Sequence, residues 1–206
     1  GVAGWLPLDA PRTHEPPVFR AHLDSVCRAC ATRYAGMPPS EIDHLAPARE
    51  LYRSVGMDPT RHRPSSEALL RRAIQGKGLY RLDPIVDTGN LFSMSSGLPL
   101  GLYDRSKIQG DVTLRLGEEG EGFEGIRKGR VNVSGRLCLG DEQGAFGSPS
   151  SDSDRCRIRE ESEDILTLLY APASLEMEWL REQGETLAQN FERWNMGKRV
   201  EGGELV

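Results

Sequence analysis

The chain has 206 residues, 37% hydrophobic and 28% charged, with 23 glycines and 13 prolines. That composition suits a soluble globular chain of short elements and many turns, and no apolar run approaches the ~18 residues of a membrane-spanning helix. A formal net charge of −5 speaks against an all-round basic surface, and so against general binding to DNA or other nucleic acid.

The charge is unevenly spread. Residues 1–80 hold 11 Lys and Arg against 8 Asp and Glu, whereas residues 81–206 hold 15 against 23. Arg61, His62, Arg63, Arg71, Arg72 and Lys77 lie close together in the basic part. They form either a local RNA-contact surface or a solvated helix face and loop. The N-terminus lacks the basic-then-apolar pattern of a secretory signal, so a cytoplasmic location is expected. Of the four cysteines, Cys27 and Cys30 share the spacing of a metal or redox pair. Cys138 and Cys156 supply no second such pair, and helical spacing explains Cys27 and Cys30 as structural thiols of a reducing compartment.

Residues 1–17, with Pro7, Pro11, Pro16 and Pro17, predict an extended lead-in. Helical periodicity runs from Val18 to Tyr34 through Phe19, Leu23, Val26, Cys27 and Cys30, and Gly36 with Pro38 and Pro39 stops it. A second helix is expected over Ala48–Val55. A third opens at Pro64-Ser65-Ser66-Glu67, with serine as cap and an acid in the first turn, and closes at Gly76.

The stretch from Asp83 to Asp104 is the candidate site. Ile85 and Val86 read as the end of a short strand, and Asp87-Thr88-Gly89-Asn90 as a sharp exit into a helix capped by Thr88. A brief helical segment breaks at Gly97, and Pro99–Asp104 reads as a second strand with residues 100, 102 and 103 turned inward. Polar groups leaving strand ends beside glycines are where ligands commonly meet backbone.

Beyond it the pattern becomes sheet-like. Val112–Leu116 alternates cleanly, Gly117–Gly125 reads as a charged loop, and Val131–Leu139 as a strand or hairpin arm. Asp141–Gly144 is a turn, after which Phe146 restarts the sheet. In the polar knot Ser148–Arg155, Asp152 and Asp154 alternate as on one strand face. No glycine or bidentate acid follows at calcium-loop spacing, so turn capping or pairing with Arg155 or Arg157 is expected and no metal. Ile165–Tyr170 has the length of a buried strand. A final helix runs from Ser174 to about Trp194, followed by a polar, fraying tail from Gly197.

Asp87-Thr-Gly-Asn90, Gly97-Leu-Pro99-Leu-Gly-Leu-Tyr-Asp104 and the Lys107-Ile-x-Gly110 step resemble the tRNA-editing B3/B4 domain of the phenylalanyl-tRNA synthetase beta subunit. Asp141-x-x-Gly144, Ser151–Arg155, Leu169–Pro172 and Ser65–Arg72 resemble its free-standing relatives. The resemblance covers about residues 50–195. It implies an α+β fold of mixed or antiparallel packed sheets with flanking helices. The chain is then one domain over 1–206, with a helical part at about 17–76 and a terminal helix at about 174–195.

The resemblance also implies tRNA or aminoacyl-tRNA as partner, no cofactor, and hydrolysis of the ester of mischarged aminoacyl-tRNA in trans. The substrate-binding candidates are Asp87, Thr88, Asn90, Gly97, Pro99, Gly101, Asp104 and Asp152; the RNA-contact candidates are Arg61, Arg63, Arg71, Arg72 and Lys77. Gly89 stands where the editing family has a threonine and Gly101 where it has a histidine. The family's tyrosine-reading glutamate falls in the apolar Leu166–Tyr170 region. Three readings follow: an editing hydrolase, a non-catalytic module binding RNA, an amino acid or a small amine, and a protein-contact domain.

Overall fold

A computed structural model describes residues 17–195 and the short strands Leu8–Asp9 and Lys198–Arg199. In chain order the elements are β1 (Leu8–Asp9), α1 (Pro17–Arg33), α2 (Ala46–Ser54), α3 (Ser65–Ile74), α4 (Pro84–Ser96) and β2 (Leu100–Asp104). There follow β3 (Thr113–Leu116), β4 (Gly122–Glu124), β5 (Arg130–Asn132), β6 (Leu137–Asp141) and β7 (Gly144–Ser148). The chain continues with β8 (Ser151–Asp152), β9 (Ile165–Leu169), α5 (Met177–Asn195) and β10 (Lys198–Arg199). The fold is α+β, and among the described residues the paired strands are antiparallel, with one isolated parallel bridge between Gly117 and Ser134. The expected lead-in and tail otherwise lie outside the described residues.

The centre is the β2–β9 pair, in register from Leu100↔Leu169 to Asp104↔Ile165. Successive strand side chains point to opposite faces, and here both faces are covered. Leu100, Leu102, Ile165 and Leu169 pack with Ile85 and Phe92 of α4 and with Leu180, Leu187 and Phe191 of α5. Tyr103, Leu166, Leu168 and Tyr170 pack on the other side with Leu51 and Tyr52 of α2, Leu137 and Leu139 of β6, and Phe146 of β7. The four-stranded sheet β3–β6–β7–β8 closes that second side. A third cluster joins α1, α3, α4 and the end of α5 through Phe19, Leu23, Leu70, Met94 and Trp194. Phe123 and Val131 of the small β4–β5 ladder pack on Cys138 and Ala145.

Four sequence expectations are corrected. Ile85 and Val86 are helical, because Asp83 caps one turn earlier, accepting from Ile85 N at 3.0 Å with Pro84 at the first helical position. No serine side chain caps α3. Its cap is Pro64, and Ser65 N instead donates to Pro149 O at 3.1 Å, tying the helix to the β7–β8 turn. The charged run after β3 contains β4, and Val131–Leu139 splits into β5 and β6. Gly89 is a packing glycine and not a turn glycine. A Cβ there would stand 2.6 Å from Leu102 Cδ1 and 2.9 Å from Leu100 Cδ2, so its absence lets α4 lie close on β2. The helix ends at Gly97 as expected, in the left-handed region at φ 77°, against the His44 backbone.

Candidate functional site

On the face of the β2–β9 pair opposite α4, five hydroxyl and carboxyl groups meet as a trio and a pair. Tyr103 Oη donates to Asp152 Oδ1 at 2.6 Å and stands 3.1 Å from Tyr170 Oη. Tyr52 Oη lies 2.6 Å from Ser150 Oγ. Room for the Tyr103 ring comes from two glycines: a Cβ at Gly101 would stand 2.5 Å from its Cε2, and one at Gly147 2.6 Å from its Cζ. Residue 152 as a whole is half-buried, but its carboxyl is enclosed. Burial pushes that carboxyl up to about 7, against the opposing pull of the Tyr103 hydrogen bond and the Lys128 charge. Burial and the Asp152 charge push the Tyr103 and Tyr170 hydroxyls well above their ordinary range, so both stay protonated.

Beside this network, Ser148, Ser150 and Ser151 form one wall of a cleft of about 290 Å³. Arg61, His62 and Arg63 reach it from the α2–α3 loop, Lys128 from the β4–β5 turn, and Arg136 from the segment before β6. Among the described residues no carboxylate lines it. Lys128 Nζ donates to Ser151 Oγ at 3.2 Å and Arg136 Nη1 to Asn132 O at 3.1 Å. Arg61 Nε stands 3.9 Å from Asp58 Oδ2, and Arg63 Nε 3.7 Å from Glu67 Oε1. Burial and the neighbouring Arg136 lower the His62 pKa, with Asp58 opposing, so its imidazole is neutral at neutral pH. Converging guanidinium, ammonium and hydroxyl groups are the donor set for a phosphate-bearing anion.

The residues singled out in the sequence are divided by the central strands. Asp87, Thr88 and Asn90 lie on α4, on the far side of β2. Asp87 is buried and its carboxylate accepts from Leu82 N at 3.1 and 3.2 Å. Thr88 donates to Pro84 O at 2.8 Å and faces a smaller cleft of about 220 Å³ with His22, Asn190 and Trp194. Pro99 is buried and its carbonyl accepts from Tyr170 N at 3.0 Å. Burial tends to raise the Asp104 pKa, but hydrogen bonds from Ser106 and Ser162 outweigh it and hold the carboxyl low. Only Gly101 and Asp152 of that set meet, at Tyr103.

Of the basic candidates, Arg61 and Arg63 reach the cleft. Arg71 pairs with Glu67 at 3.5 Å, and Arg72 lies 4.0 Å over the Tyr80 ring and donates to the carbonyl of Lys77. Asp154 pairs with Arg157 at 3.1 Å as expected and also with Arg159 at 3.3 Å, while Arg155 forms a two-pronged pair with Asp141 at 2.9 Å. No group of three or more His, Cys, Asp or Glu residues among those described is arranged to hold a metal. Lys128 and Arg136 were missed by the sequence reading. Their signal was the basic run Arg127, Lys128, Arg130 and Arg136, hidden in an acidic half.

Proteins of related sequence include phenylalanine–tRNA ligase beta subunits. The phenylalanine–tRNA ligase beta subunit of Bartonella quintana is 33% identical over 76 residues, covering 36% of this chain and 10% of that subunit. The one from Streptomyces avermitilis is 31% identical over 114 residues, covering 54% and 13%. The matches thus span about a tenth of those relatives. An N-terminal fragment of the phenylalanyl-tRNA synthetase beta-subunit from Pyrococcus horikoshii aligns with a TM-score of 0.46 and 14% identity, over 58% of this chain and 42% of the fragment. Residues 47–176, more than half of the chain, match the B3/4 domain, and the chain belongs to that family.

Proposed function

We propose that this chain binds tRNA or aminoacyl-tRNA, with the cleft between Arg61–Arg63 and Lys128–Arg136 as its phosphate-contacting surface. The observation that carries the reading is the convergence of four cations from distant segments on one concavity that, among the described residues, no carboxylate lines. The names of its relatives supply the tRNA context. Phosphate contacts of this kind give binding that weakens steeply with salt. The reading treats residues 1–206 as one B3/4 unit, goes with a cytoplasmic location, and calls for no cofactor, DNA or membrane.

The finer reading is hydrolysis, in trans, of the ester of mischarged aminoacyl-tRNA. Water attacks the ester carbonyl, the bond to the ribose oxygen breaks, and the free amino acid and the tRNA hydroxyl leave. Of the sequence candidates, this reading keeps Gly101 and Asp152 for the aminoacyl end. Asp152 supports it as a carboxyl that changes charge near neutrality. Asp87, Thr88, Asn90, Gly97, Pro99 and Asp104 then act as the frame. A second reading, binding without catalysis, is favoured by Tyr103, whose ring fills the space between Gly101 and Gly147.

Titration of the chain with tRNA at rising salt tests the first proposal. Binding at low salt that falls with salt is expected, and Arg136→Glu should weaken it about tenfold or more. Absence of binding at low salt overturns it. Loss of ester from one mischarged species, removed by Asp152→Ala, selects editing; a flat panel with tRNA binding intact selects the binding module.

A further inference from the structure

The cleft gathers an excess of positive charge. Arg61, Arg63, Lys128 and Arg136 converge there, while the carboxylates paired with them are Asp58 and Glu67. Glu67 is in addition shared with Arg49 and Arg71, each at 3.5 Å, so it neutralises Arg63 only in part. Lys128 and Arg136 hydrogen-bond to uncharged oxygens, those of Ser151 and Asn132. The excess is therefore at least two positive charges in a space of about 290 Å³, near the lower end of small-molecule pockets.

Glu67 links Arg63 of the cleft to a further, buried guanidinium, that of Arg49. Arg49 is 8% exposed, and its Nε and Nη1 have no hydrogen-bond partner. Its charge is offset by Glu67 at 3.5 Å, a carboxylate that also serves Arg63 and Arg71. Such a field favours the most highly charged ligand that fits. An internal phosphodiester carries one negative charge, whereas a phosphate monoester carries about −1.5 to −2 near neutral pH and offers three oxygens to guanidinium forks.

We propose that the cleft takes a terminal phosphate, the monoester of a 5′-phosphorylated RNA end or of a free nucleotide, in preference to internal phosphodiesters. This rests on the reading of the cleft as the anion-binding surface and narrows its ligand. Arg136 and Lys128 hold the phosphate from one wall, Arg61 and Arg63 from the other, and neutral His62 adds a ring N–H.

The test compares a short RNA with a 5′-phosphate, the same RNA with a 5′-hydroxyl, and a nucleoside 5′-monophosphate, by fluorescence anisotropy and competition at one salt concentration. Expected is about tenfold tighter binding of the phosphorylated RNA, a difference lost in Arg136→Gln and in Lys128→Gln, with the monophosphate competing. Circular dichroism of both variants separates a lost contact from a lost fold. Equal affinity for the two RNA ends overturns the terminal-phosphate proposal and leaves the RNA reading standing. Binding of the monophosphate but of neither RNA supports the proposal with a free nucleotide as source, and removes tRNA. Binding of none of the three overturns both.

Discussion

Among single residues, Asp152 has its chemistry set by what encloses it. Its carboxyl pKa is raised by burial to about 7, so the folded chain keeps a proton that the unfolded chain gives up near pH 4. Stability from this group is present in acid, declines as the pH rises from about 4 through 7, and is flat above that. Asp152→Asn keeps an acceptor for Tyr103 Oη and carries no charge. It should raise the melting temperature at pH 8 by roughly 3–6 °C and change it little at pH 4, as read by thermal unfolding across pH. A uniform loss at every pH would instead mean that the substitution broke packing. The sequence marked Asp152 only as one of two alternating acids. Its environment was not legible, because Tyr103 and Tyr170, which line it, lie 49 and 18 residues away along the chain.

For elements, what could be read depended on whether the signal was local. α1, α2 and α3 were legible from apolar spacing and glycine stops, and β9 from a short apolar run bounded by Pro172. α4 was misplaced by a turn, since two competing caps, Asp83 and Thr88, sit five residues apart and only Asp83 meets a free N–H at the helix start. β4 was hidden because it is held by β5 and by a carboxylate, not by its own pattern. Glu121 accepts two bonds from Arg115 at 2.6 and 2.7 Å, one from Glu118 N at 2.7 Å and one from Ala145 N at 3.0 Å. The Arg115 hydrogen bonds hold its carboxyl down at about 2.

That pair locks β3 and β4 to β7 with a definite pH signature. The carboxyl is depressed in the folded state, so its contribution is present above the ordinary glutamate range and is lost as the pH falls toward 2. Glu121→Gln should cost about 1–3 kcal/mol near neutrality and flatten the acid limb of the stability curve between about pH 4.5 and 2. Denaturant titrations of both proteins at several pH values measure this. Parallel acid limbs would assign the pH dependence to other carboxylates.

At the scale of the whole molecule, an overall charge of −5 conceals a local site of opposite sign. Averaging over long windows made the acidic half look unsuited to phosphate, and only the fold brings Lys128 and Arg136 to Arg61 and Arg63. The same fold threads α5 into both helical clusters, Phe191 with α4 and the central strands and Trp194 with α1. If residues 17–195 unfold as one unit, far-ultraviolet circular dichroism and tryptophan fluorescence should give coincident melting curves. Phe191→Ala should shift both together, at a cost of about 3–5 kcal/mol. Separate transitions would split the helical part from the sheets.

The β2–β9 pairing also sets an order of events during synthesis. Tyr103 and its strand leave the ribosome some sixty residues before Ile165–Leu169, the partner strand that covers them. Until then Leu100 and Leu102 have only α4 to rest on, although β4 to β8, which carry most of the basic cleft, have already emerged. A nascent chain stopped short of β9 therefore already holds every residue that lines the basic cleft but lacks the central ladder on which β6 and β7 pack.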